Sequence, residues 1–94
     1  MEVTARFVAV FHSISGKNQF TIKFKDAALL KHAVKRIIEE FPELKRALID
    51  PELEDPRPNT LILVNGREIS VLNGLETILK DGDEVVFVPV LHTG

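Results

Sequence analysis

Residues 80–90 read KDGDEVVFVPV, a tight turn followed by an apolar run that ends at a proline. Asp81-Gly82 supplies the turn. Glu84 to Leu91 (EVVFVPVL) predicts a strand, because β-branched and aromatic side chains fit a pleated surface. Val85 and Phe87 share one parity, Val86 and Val88 the other. Both sets are apolar, so neither face of this strand is written for water alone. A matching run opens the chain. In VTARFVAVF, residues 3–11, Val3, Ala5, Phe7 and Ala9 fall on one side and Thr4, Arg6, Val8 and Val10 on the other. These two runs are the most apolar in the sequence, which predicts parallel neighbours at the centre of a sheet.

Outward from that pair, SISGKN (13–18) is turn chemistry, and QFTIKF (19–24) alternates with Phe20, Ile22 and Phe24 inward, completing a hairpin with the first strand. Asp26 is placed to cap a helix in which Leu30, Val34, Ile37, Ile38 and Phe41 recur at three- and four-residue steps. Lys31, Lys35, Arg36, Glu39 and Glu40 take the wet side, and Pro42 ends the helix. ELKRALI (43–49) adds a short helical turn, and DPELEDPRPN (50–59) is an acidic loop broken by prolines. TLILV (60–64) is a third strand, turned by Asn65-Gly66 into REIS (67–70), and LNGLETILKDGD (72–83) supplies a helical turn and a tight turn. The order strand, strand, helix, strand, strand, strand predicts an α+β roll: a mixed sheet with one main helix packed on one face.

Ninety-four residues hold one domain, taken as 1–94 with a flexible C-terminal tail at about 90–94. The composition is 45% hydrophobic and 28% charged, which suits a globular fold and not a disordered one. A net charge of −2 gives no general attraction to a phosphate backbone or an anionic membrane, so neither nucleic acid nor membrane is an expected partner. Cysteine is absent, which excludes disulfides, thiolate metal sites and a nucleophilic thiol within the chain. With no secretory leader pattern and no apolar run near the ~20 residues of a membrane span, a cytoplasmic location is expected.

Catalytic and metal-binding groups are not expected. His12 at a strand end, His32 on the helix's polar side and His92 in the tail share no ligand spacing and no partner nucleophile. SISGKN lacks the first glycine of a phosphate loop and opens a strand instead of a helix. Asp81, Asp83 and Glu84 belong to a tight turn without further oxygen ligands at loop spacing. The acidity of DPELEDP fits a solvated loop that is able to steer a basic partner. Two features stand out instead. If the first and last strands pair, Val8, Val10, Val86 and Val88 form an outward apolar patch beside Arg6, the pattern of a contact surface. The chain also ends on Gly94, whose carboxylate has no Cβ beside it and can enter a narrow channel. A carboxylate repels nucleophiles until one oxygen becomes a leaving group, so chemistry there needs a partner enzyme.

The strand order, RPNTLILVNGREI (57–69), LETILKDGDEVVFVPV (75–90) and the terminal glycine together resemble the MoaD and ThiS sulfur carriers and the ubiquitin-related modifiers, over essentially the whole chain. The resemblance implies a ubiquitin-like β-grasp roll and a carrier that is itself a substrate. It implies that Leu91, His92 and Thr93 thread the ATP site of an adenylyltransferase related to ubiquitin-activating enzymes, where the Gly94 carboxylate is adenylated and then converted to a thiocarboxylate. ATP is thus used by the partner, and no cofactor is expected on this chain. The patch valines would dock that partner, with Val8 and Val88 as anchors.

VNGREI and DGDEVVFVPV look more like the small subunit of molybdopterin synthase, which implies molybdenum cofactor biosynthesis with that enzyme's large subunit as a further partner. Leu91-His92 before the last pair resembles the ubiquitin-related modifiers, which implies tRNA thiolation or conjugation to lysines. ThiS is usually shorter, lacking an insertion like Phe41–Asn59. Where the family typically ends in Gly-Gly, Thr93 holds the penultimate place and its β-branched side chain widens the thread. A non-carrier β-grasp interaction module is the competing class, one that loss of Gly94 would leave unaffected.

Overall fold

A computed structural model describes residues 1–90. The strands Glu2–Phe7 (β1), Gln19–Lys23 (β2), Thr60–Val64 (β4), Arg67–Glu68 (β5) and Glu84–Pro89 (β7) form one mixed sheet in the order β2-β1-β7-β4-β5. β1 and β7 are parallel and adjacent, with Ala5 opposite Val85 and Phe7 opposite Phe87, as expected of the two most apolar runs in the sequence. β7 lies at the sheet centre because it also pairs antiparallel with β4, from Thr60 opposite Pro89 to Val64 opposite Val85. The expected hairpins are present: β1 pairs with β2, and β4 with β5 across Asn65 (φ 51°) and Gly66 (φ 82°). Two successive left-handed residues give the twist that a two-residue hairpin needs.

The main helix, Leu30–Glu40 (α2), lies on the core face and buries Leu30, Ala33, Val34 and Ile37. Phe41 continues that stripe and meets Phe7 and Phe20 edge to face, with centroids 5.6 and 5.2 Å apart. Such pairs contribute about 0.5–1.5 kcal/mol each beyond the area they bury. Pro42–Leu44 forms a 3-10 turn that runs into Lys45–Leu48 (α3), and both Leu44 and Leu48 are fully buried.

Four local expectations are corrected. β1 stops at Phe7, because Ala9 takes a positive φ of 52° and swings Val10–Ser15 into a short helix (α1) that buries Phe11. His12 therefore lies in α1 and not at a strand end. Asp26 does not cap α2: the helix starts at Leu30, and the Leu29 N–H donates to His32 Nδ1 at 2.9 Å. Finally, Ala28–Leu29 (β3) and Ile78–Leu79 (β6) pair as a second, two-stranded sheet in segments read as helix entry and turn. These two-residue strands are too short for a period-2 pattern to register.

Candidate functional site

The outer face of the sheet, opposite α2, carries the apolar surface. Along β7, Val85 and Phe87 are fully buried in the core, so Val86 and Val88 project outward, where both are half-buried. β4 repeats the arrangement: Thr60, Ile62 and Val64 face inward, leaving Leu61 and Leu63 outward. The β4–β7 register puts Leu61 opposite Val88 and Leu63 opposite Val86. Two adjacent cross-strand pairs thus make one contiguous apolar patch. Arg6, next to Val86 on the β1 side, forms an ion pair with Glu84, and Glu68 closes the β5 side opposite Leu63. The Glu68 carboxylate accepts the Ser70 N–H, a bond that holds it below its usual pKa.

The expected four-valine patch is corrected in membership. Val86 and Val88 stand where the parity argument puts them, but Val10 belongs to α1, off the sheet, and Val8 follows the last paired residue of β1. The parity of residues 3–11 fails beyond Phe7 because Ala9 turns the backbone and Phe11 enters the core from a helix. Leu61 and Leu63 take the missing places. TLILV carried the signal that identifies them, since it is apolar on both parities, as β7 is.

The root of the tail adjoins this patch. Pro89 has no N–H to extend the ladder, and the last described backbone bond runs from the Val90 N–H to the Asn59 carbonyl at 2.9 Å. Beside it a small pocket of about 150 Å³ is lined by residues that include Arg57, Leu61, Glu68 and Val90. Leu91, His92, Thr93 and Gly94, the residues expected to thread a partner and carry the chemistry, lie outside the described residues.

The acidic turn Lys80–Glu84 does structural work. Asp81 accepts the Glu2 N–H at 2.7 Å, and Asp83 accepts the Lys80 N–H at 2.7 Å and the Asn65 side-chain amide at 2.9 Å. The Asn65 side-chain oxygen in turn accepts the Glu84 N–H. These bonds join the turn before β7 to the β4–β5 turn and set where β7 enters the sheet. Among the described residues no group of acidic or histidine side chains is arranged to hold a metal ion.

Residues 4–94 match the family model described as Urm1, ubiquitin related modifier. The chain belongs to the ubiquitin-related modifier family. It is 34% identical over 91 residues to small archaeal modifier protein 3 of Haloferax volcanii, covering 96% of this chain and 97% of that one. Small archaeal modifier protein 1 (SAMP1) from Haloferax volcanii shares the fold over 100% of both chains, with a TM-score of 0.85 at 16% identity. A protein from Pyrococcus furiosus described as a putative molybdopterin converting factor, subunit 1, does so with a TM-score of 0.76 at 22% identity, over 96% of this chain and 98% of that one. The fold is therefore the ubiquitin-like β-grasp, as the family resemblance implied. Its curated relatives are small ubiquitin-like modifiers. Among the described residues no helix is long and apolar enough to cross a membrane.

Proposed function

We propose that this member of the ubiquitin-related modifier family is activated at Gly94. The reading rests chiefly on the family match, which runs from Thr4 through Gly94 and so includes the terminal glycine. In this scheme a partner adenylyltransferase binds the outer sheet patch and receives residues 91–94 in its ATP site. One oxygen of the Gly94 carboxylate attacks the α-phosphate of ATP and pyrophosphate leaves. A hydrosulfide-level sulfur donor then attacks the acyl carbon and displaces AMP, which carries the original oxygen away. A C-terminal thiocarboxylate results. This chain supplies the acyl group and the docking face, while ATP and the catalytic groups belong to the partner, in the cytoplasm. The adjacency of the patch to Val90 supports the scheme, because a partner seated on Leu61 and Val88 lies next to the root of the tail.

The modifier branch, with transfer of the thiocarboxylate sulfur to tRNA or of the Gly94 acyl group to lysine amines, draws its support from the family match and from the 34% identity to an archaeal modifier. A second reading, sulfur donation to molybdenum cofactor through the large subunit of molybdopterin synthase, draws on VNGREI and DGDEVVFVPV. One experiment tests activation and separates the branches. The full chain is incubated with an adenylyltransferase from the same organism, ATP and a sulfide source, and its intact mass is measured. The expected result is a gain equal to exchanging one oxygen for sulfur, localised to the last peptide and absent after deletion of Gly94. No gain with either the native tail or Thr93→Gly would overturn activation and leave a non-carrier interaction module. Lysine-linked conjugates in the activated mixture select the modifier branch. Sulfur transfer only when the molybdopterin synthase large subunit is added selects the other.

A further inference from the structure

The edge of the sheet furthest from the patch has the features of a second recognition surface. Among the described residues β2 is an edge strand, paired only with β1. The Phe24 N–H donates to the Met1 carbonyl and the Phe7 N–H to the Asn18 carbonyl, both at 2.9 Å, so the even-numbered residues of this strand turn their backbone groups toward β1. Gln19, Thr21 and Lys23 therefore aim their N–H and C=O groups out of the sheet. Arg36 takes the Lys23 carbonyl at 2.9 Å, and no other described residue bonds the outward backbone groups of Gln19 and Thr21. On the core side this edge is bordered by the half-buried rings of Phe20, Phe24 and Phe41, with the Arg36 guanidinium 5.1 Å from the Phe24 centroid. Lys17, Lys23 and Lys25 line the edge without an intervening acid. Exposed Lys23 lies 3.8 Å from Glu2, and Asp26 follows Lys25 in the sequence.

We propose that β2 accepts an extended acidic peptide as an additional strand. Main-chain bonds to Gln19, Thr21 and the Lys23 N–H supply the affinity. Alternation then dictates the sequence of the occupant: apolar side chains on the parity that meets the Phe20, Phe24 and Phe41 rings, and glutamate or aspartate on the parity that shares the face of Lys23. A second copy of this chain is disfavoured by charge. Antiparallel pairing of two β2 strands about Thr21 sets Lys25 of each copy against Lys17 of the other, two like-charge contacts at the ends of the ladder. The inference is independent of chemistry at Gly94.

The test titrates the full ¹⁵N-labelled chain with an end-blocked seven-residue peptide alternating valine and glutamate. Amide shifts and slowed hydrogen exchange are expected at Gln19, Thr21 and Lys23, weakening with added salt. The double variant Lys23→Glu, Lys25→Glu should bind about tenfold more weakly while keeping the native spectrum. N-methylation of the peptide amides that face β2 should abolish the exchange protection. Equal binding of a valine–lysine peptide would overturn the proposal, as would shifts confined to the outer sheet patch. So would the same β2 shifts appearing with rising protein concentration alone, which would assign the edge to a second copy. Deletion of Gly94 should leave the titration unchanged.

Discussion

At the residue scale the turns hold the clearest stakes. Gly66 sits at φ 82° with open space around the position a Cβ would take, so Gly66→Ala is opposed by backbone conformation and not by a clash. That strain should cost roughly 1–2 kcal/mol. The check is thermal unfolding, where about 4–8 °C of midpoint per kcal/mol is expected for a domain of this size. Thr60 poses a different question. Its hydroxyl, in a residue 2% exposed, donates to the Leu48 carbonyl at 2.8 Å and ties β4 to the end of α3. Thr60→Val keeps the shape but leaves that carbonyl without its donor, a loss of about 1–3 kcal/mol measurable in urea unfolding.

At the scale of elements, α1 is decided by one side chain. Phe11 is fully buried whereas Val10, on the same short helix, is 46% exposed. Phe11→Ala should cost about 3–5 kcal/mol, while Val10→Asp should stay within about 0.5 kcal/mol. Equal costs in denaturant unfolding would return Val10 to a buried strand face. The loop before β4 offers a pH test. Arg57 hydrogen-bonds the Asp55 carboxylate and holds it below the usual carboxylate range, against the opposing effect of partial burial. A depressed folded-state pKa contributes stability that is present above the unfolded value of about 4 and is lost as the pH falls through the folded value. Thermal scans from neutral to acid pH should show Asp55→Asn less stable than the parent near neutrality and level with it at the acid end.

For the whole molecule, the consequence is a division of the surface. The patch of Leu61, Leu63, Val86 and Val88 adjoins the root of the tail, and the lysine-lined β2 edge closes the far side of the same sheet. Val88→Asp and Leu61→Asp should each weaken binding of the proposed activating partner by at least about tenfold, the scale of a central interface residue, with circular dichroism unchanged. Lys23→Glu should leave that affinity intact. If both surfaces respond alike in partner titrations, the sheet works as one interface and the division fails.

Much of this architecture was legible in the residues themselves. The apolar runs VTARFVAVF and EVVFVPVL identified parallel neighbours at the sheet centre, the stripe from Leu30 to Phe41 placed the helix, and Asn65-Gly66 marked its hairpin, because periods and turn propensities are local properties. The family that these motifs resemble was equally readable. Tertiary structure alone decided which side chains share the patch. Strand parity says which way a residue points but not which strand lies beside it, and the left-handed turn at Ala9 that removes Val10 has no mark in an alanine. Register across β4 and β7, set by contacts far apart in the chain, put Leu61 and Leu63 beside Val88 and Val86.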